Sequence, residues 1–245
     1  MTATRLTHVQ EYYFSKKLRE VRTMISSGQP VINMGIGSPD LPPPQEVIDA
    51  LQNSLSHPTA HKYQSYQGIF ALREAIAAFY KKQYGVTLNP ENEILPLLGS
   101  KEGIMHISMA FLNPGDQVLV PNPGYPTYTS VTRLVEAEAV FYNLEEDHHW
   151  QPNLEELKRI DCTKVRLMWI NSPHMPTGTT IDPQNLTELI KWAKENDILL
   201  VNDNPYSFVL TDQPKSIFQN IDDKSQVMEL NSLSKTFNMA GWRMG

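Results

Sequence analysis

Lys235 stands in the run Ser232-Leu233-Ser234-Lys235, with Arg243 eight residues further on. A primary amine that is partly desolvated can attack a carbonyl near neutral pH, and hydroxyls beside a guanidinium form a donor set for a phosphate. Three other clusters carry comparable chemistry. Asp203 and Tyr206 lie three residues apart in Val-Asn-Asp-Asn-Pro-Tyr. The carboxylate could hold a proton on a ring nitrogen while the phenol donates to a phenolic oxygen; the same pair could equally be a helix cap and a core tyrosine. Gly99, Ser100 and Lys101 form a tight turn into a helix, whose free N–H groups and dipole favour a phosphate, although a glycine turn with a serine cap reads the same way. Tyr125, in Pro-Asn-Pro-Gly-Tyr-Pro, is a ring in a stiff loop, able to stack on a flat ligand or to pack locally.

Each cluster follows an apolar run. Six such runs, at residues 93–100, 116–125, 137–143, 164–173, 197–206 and 226–235, alternate with helical stretches. Most are too uniformly apolar for a sheet with one wet face, so they read as strands of a mainly parallel sheet covered by helices on both faces, an α/β architecture. Ligands in such sheets bind beyond the carboxyl ends of the strands, where these clusters fall. Between the runs, Leu186, Leu189, Ile190 and Ala193 recur at helical spacing, with Asp182 as cap and Pro183 in the first turn. The first ninety residues read as a polar helix, a loop over residues 32–47 and a second helix over 70–85. Residues 1–45 are expected to form an arm and loop, and residues 46–245 one large domain.

The net charge of −6, without a basic stripe, argues against nucleic acid or an anionic membrane as partner and for a small ligand. No stretch approaches the ~20 apolar residues that a membrane-spanning helix needs. Cys162 is the only cysteine, which excludes an intrachain disulfide and fits a reducing cytoplasm.

Together, "GIGSPD", "GSKEG", "PGYP", "PTG", "DNPY" and "SLSKTFNMAGWRMG" resemble the class I/II aminotransferases of fold type I, which use pyridoxal 5'-phosphate (PLP). The wording is most similar to the branch with LL-diaminopimelate, alanine and aspartate aminotransferases. The resemblance implies amino transfer between an L-amino acid and a 2-oxo acid by a ping-pong mechanism. It makes Lys235 the Schiff-base lysine and proton carrier, Asp203 the partner of the pyridinium nitrogen, Tyr206 a donor to the ring's O3' oxygen and Tyr125 the stacking ring. Gly99, Ser100, Lys101, Ser232, Ser234 and Arg243 fall around the phosphate. Gly37 would lie near the substrate carboxylate. Tyr63, or Tyr66 on the other reading of the spacing to Gly68, would reach the phosphate of a partner subunit, which implies a homodimer with shared sites. A β-elimination or decarboxylation on the same scaffold, or a PLP-sensing regulator, are the alternatives.

Two features depart from the family pattern. Where the family has an asparagine that bonds O3' and the substrate carboxylate, this chain has Met175, which cannot donate that bond. Losing one neutral hydrogen bond costs about 0.5–1.5 kcal/mol, so the chemistry is expected to survive, with Asn171 or His174 as polar neighbours able to compensate. In the family, the segment after "GWRMG" continues into another strand and a small domain bearing the arginine that grips the substrate carboxylate. On that resemblance the 245 residues are expected to be part of a longer chain.

Overall fold

The five apolar runs from Asp116 onward all form strands of one sheet, with those of its interior covered on both faces. The computed structural model describes residues 2–245 except 8, 10, 36, 210 and 220, so Ile36 of the Gly35–Asp40 loop lies outside the described residues. In chain order the elements are α1 (Tyr13–Ser26), α2 (Gln45–Leu55), α3 (Phe70–Tyr84), α4 (Ser100–Phe111), β1 (Gln117–Asn122), α5 (Pro126–Leu134), β2 (Glu138–Asn143) and α6 (Leu154–Leu157). They continue with β3 (Val165–Ile170), α7 (Pro183–Glu195), β4 (Leu199–Asn204), β5 (Val227–Asn231) and α8 (Leu233–Thr236). The sheet is wholly parallel in the order β2-β1-β3-β4-β5. The strand order reverses beside β1, and in sheets of this kind ligands bind at the carboxyl ends next to such a reversal.

Alternate residues of each strand feed two apolar layers. Leu119, Met168, Ile170 and Leu200 pack against Leu189, Trp192 and Ala193 of α7. Val118, Val120, Leu167, Trp169 and Val201 pack against Ile104 of α4 and Tyr128 of α5 on the other face. Removing each such large side chain from water contributes about 1.5–3 kcal/mol. The start of α7 follows from its cap: the Asp182 carboxylate accepts from the N–H groups of Gln184 and Asn185. A side chain at Gly103 would meet Leu230 and Leu97 at 2.6 Å, so glycine there lets α4 approach the sheet closely.

Two expectations are corrected. The first apolar run, residues 93–100, is not a strand. A strand needs a ladder partner, and this segment pairs only at Leu97, which exchanges both backbone bonds with Gly245 (2.7 and 3.1 Å), while Leu95 and Leu98 stay exposed. The loop expected over residues 32–47 ends earlier, because α2 begins at Gln45 directly after Pro42–Pro44. Neither α1 nor α2 buries a residue, and Tyr13, Phe14, Met24, Ile25, Leu51 and Leu55 are exposed on them.

Candidate active site

Asp203 is the last residue but one of the buried strand β4, where its carboxylate is shut away from water. Its Oδ2 accepts a 2.8 Å hydrogen bond from the Tyr128 hydroxyl, and its Oδ1 has no partner among the described residues. Burial raises the Asp203 pKa to about 6, and the Tyr128 bond partly counters that rise. Tyr128 is itself fixed by stacking on Trp169, with centroids 5.2 Å apart and planes 8° from parallel. Tyr125, the N-cap of α5, presents its ring edge-on to Tyr128 at 5.6 Å.

The loop after β3 is braced onto this strand end. Asn171 Nδ2 donates to the Asp203 carbonyl at 2.6 Å, and Asn171 Oδ1 accepts from the Met175 N–H at 2.7 Å. The Asn171 amide is therefore engaged by the protein at both ends and acts as a brace for Met175, not as a free polar group for a substrate. His174 is buried and bonded through both ring nitrogens, to the Thr177 hydroxyl (2.8 Å) and the Pro123 carbonyl (3.1 Å), so it too has no idle group. Burial lowers its pKa. The Tyr206 hydroxyl lies 3.6 Å from Met175 Sδ, a weak acceptor, and burial raises the Tyr206 pKa.

Beyond β5, Ser232 caps α8 by accepting from the Ser234 N–H at 3.2 Å. Lys235 follows one residue later, half-buried and without a hydrogen-bond partner among the described residues. The chain then folds back, with Leu233 N–H donating to the Met244 carbonyl and Gly245 pairing with Leu97. This return lays Arg243 over Gly99, with its guanidinium donating to the Leu98 carbonyl at 2.9 Å and the Ala240 carbonyl at 2.8 Å. A Cβ at Gly99 would sit 2.2 Å from Arg243 Nη2, and Gly99 adopts φ +92°. Only glycine suits the position. Ser100 opens α4 half-buried, and Lys101 points to solvent. The amino end of α4 and the end of β5 are adjacent, because Gly245 wedges between Ser100 N and the Asn231 carbonyl.

The site thus has two halves, an orphaned carboxylate oxygen on β4 and an anion-suited corner of helix N-terminus, hydroxyls and Arg243, with an unengaged lysine on α8. A flat ring with a protonated nitrogen and a phosphate matches that donor and acceptor set. The sequence profile described as aminotransferase class I and II matches residues 29–245. The chain belongs to that family. The family's members depend on pyridoxal phosphate, and the residues here fit it: Asp203 Oδ1 lacks the one donor the ring nitrogen would provide.

Among aminotransferase relatives, the LL-diaminopimelate aminotransferase of Aquifex aeolicus is 38% identical over 98% of this chain and 63% of its own length. Transaminase BacF of Bacillus subtilis is 41% identical over 94% of this chain and 58% of its own. The apo structure of BacF superposes with a TM-score of 0.93 at 39% identity, covering 100% of this chain and 63% of that one. The chain therefore spans less than two-thirds of the length of these aminotransferases.

Gly37, Tyr63 and Tyr66 are not drawn into the site by this chain. Gly37 lies in an exposed loop with nothing within 4 Å of a built Cβ, and both tyrosines are fully exposed. Tyr128 was not among the residues expected from sequence. Its spacing three residues after Tyr125, on the same helix start, was the available signal.

Proposed function

We propose that the protein is a PLP-dependent aminotransferase that carries an amino group from an L-amino acid to a 2-oxo acid in two half-reactions. The observation that carries the reading is Asp203: a buried carboxylate held by Tyr128 on one oxygen and bare on the other. When bound, pyridoxal phosphate supplies an electron-withdrawing ring that takes up the charge developing at the substrate's α-carbon. Asp203 would keep a proton on the ring nitrogen, Tyr206 would donate to the ring oxygen and Tyr125 would cover one ring face. Gly99, Ser100, Ser232, Ser234 and Arg243 would hold the phosphate, with Lys101, whose side chain is exposed, adding only its backbone N–H at the helix start. Lys235 would hold the cofactor through its amine and, once free, would carry the proton at the substrate's α-carbon.

Residues 46–245 form the cofactor-holding unit in this reading and carry Met175 toward the substrate, and residues 1–45 form an arm that brings Gly37 to it. The exposed apolar side chains of α1 and α2, with Tyr63 and Tyr66 fully exposed, support a homodimer in which Tyr63 reaches the partner's phosphate. The lone, half-buried Cys162 fits a reducing cytoplasm. No helix among the described residues is long and apolar enough to cross a membrane.

The test uses the full-length protein with a panel of amino acids and 2-oxo acids. A new amino acid should form, and borohydride should fix the cofactor's mass on Lys235 but not in Lys235→Ala. Release of ammonia and pyruvate instead would make the protein a lyase.

A further inference from the structure

A second carboxylate stands behind the site and takes no part in the chemistry above. Glu229, partly buried in β5, pairs in register with Asn202 of β4. By strand alternation it lies on the sheet face opposite to the Asp203 side chain. Its Oε2 accepts from Asn202 Nδ2 (3.0 Å), Asn204 Nδ2 (3.2 Å) and the Ile217 N–H (2.9 Å). Its Oε1 accepts from the hydroxyls of Tyr80 (3.0 Å) and Ser216 (2.9 Å). Tyr80 receives Asn231 Nδ2 and Ser216 receives the Phe218 N–H, which leaves both hydroxyl hydrogens to turn toward Glu229. Five donors, and no basic partner among the described residues, are directed at this carboxylate. The surrounding protein raises its pKa, and the hydrogen bonds oppose that rise.

Every one of these contacts leads toward a site-bearing segment. Asn202 Oδ1 accepts from the Ser172 N–H at 3.0 Å, next to Asn171 and three residues before Met175. Asn204 also reaches the Lys215 carbonyl at 2.8 Å, so Asn204, Ser216 and Ile217 close both ends of the loop that carries Tyr206. Inside that loop, Ser207 bonds the Tyr84 hydroxyl at 2.6 Å, and Tyr84 shares Asn231 with Tyr80. Asp203 lies between the two asparagines that Glu229 holds.

We propose that Glu229 is a positioning residue for the cofactor site. One carboxylate ties the Met175 loop, both neighbours of Asp203 and both ends of the Tyr206 loop to the strand that leads to Lys235. The inference rests on the PLP reading of the site. A polar anchor is needed here because β4 ends in Asn-Asp-Asn and cannot be fixed by apolar packing at that end.

The experiment compares Glu229→Ala, Glu229→Gln and Asn204→Leu in the full-length protein, measuring PLP affinity of the apo form by equilibrium dialysis and the pH midpoint of the bound cofactor's absorption. Glutamine can place its carbonyl among the three N–H donors while Tyr80 and Ser216 turn to accept from its amide. Glu229→Ala should weaken binding by about tenfold or more and move the midpoint, and Glu229→Gln should restore affinity to within about threefold. A loss confined to thermal stability, with affinity and midpoint unchanged, overturns the proposal, as does an equal loss in both Glu229 variants. Asn204→Leu matches the side chain's shape and removes the unpartnered Asn204 Oδ1 while cutting two tethers. If Glu229→Ala does not fold, the affinity of Asn204→Leu decides: a loss above about threefold supports the proposal and a smaller one overturns it. Wild-type protein that takes up no PLP would remove the site reading and this inference together; uptake with indifferent variants removes the inference alone.

Discussion

The carboxyl end of the sheet and the first seventy residues differ in what holds their functional side chains. Asp203, Ser232 and Asn171 are buried and bonded within the core, whereas α1 and α2 bury nothing and Tyr63 and Tyr66 lie wholly in solvent. The ring-facing half of the site is organised by this chain's own packing. The half assigned to substrate and partner is not, and on the proposed reading its residues gain a fixed geometry from a partner subunit. Variants in the first half should therefore act through local electrostatics in any assembly state, and variants in the second should act only in the assembled protein.

The largest effect separating the halves is expected at Asp203. Its folded pKa of about 6 lies above the ordinary carboxylate value, so the apo protein binds an extra proton between about pH 4 and pH 6. Stability of the apo form should fall as pH rises through that window and stay level above it. About two pKa units correspond to about 3 kcal/mol carried as a cost at neutral pH. Asp203→Asn should raise the thermal midpoint of the apo protein while lowering the transamination rate by about 10²–10³-fold. Scanning calorimetry and steady-state rates on the same preparation check both signs. A variant that loses stability along with activity would mean that the carboxylate is satisfied without cofactor.

Tyr63→Phe tests the other half. On the proposed reading Tyr63 donates to the partner's charged phosphate, so removing its hydroxyl should weaken PLP binding by about thirtyfold, with Tyr66→Phe unchanged. The pair reverses if Tyr66 is the reaching residue. Diluting the wild type until it dissociates should reproduce the loss, and a loss independent of protein concentration would count against a shared site. Tyr128→Phe comes next: without its donor Asp203 should titrate above pH 6, shifting the acid limb of activity upward and costing about tenfold in PLP affinity at neutral pH.

What was legible in the chain follows the same division. Lys235, Asp203, Tyr125 and Ser100 each close an apolar run, and strand ends are punctuated by local residue types that can be read directly. The Asp182 cap and the α7 stripe are local in the same sense. The segment 93–100 carries a strand's composition, but a strand exists only with a neighbour, and Leu97 finds one residue to pair with. The helix α2 was hidden behind Pro42–Pro44, which punctuate a loop and a helix start alike. Tyr128 and Glu229 acquire their roles from residues 75 and 149 positions away. No local pattern reports such contacts, although a glutamate inside the otherwise apolar run Val-Met-Glu-Leu was a sign that something enclosed it.

Met175 should give the smallest effect. The resemblance puts it where an asparagine is expected, and its sulfur is the partner that the Tyr206 hydroxyl finds, at 3.6 Å. A thioether accepts weakly and donates nothing, so the ring oxygen would receive one donor from this corner, Tyr206, instead of two. Met175→Asn keeps the backbone brace, because Asn171 Oδ1 holds the Met175 N–H and not its side chain. The new amide can then accept from Tyr206 or donate into the site. Affinity for PLP or for the amino-acid substrate should rise by about threefold, within the range of one neutral hydrogen bond. An affinity that stays level or falls would mean that the sulfur fills apolar space the substrate needs, and that position 175 here belongs to side-chain recognition instead of to the ring oxygen.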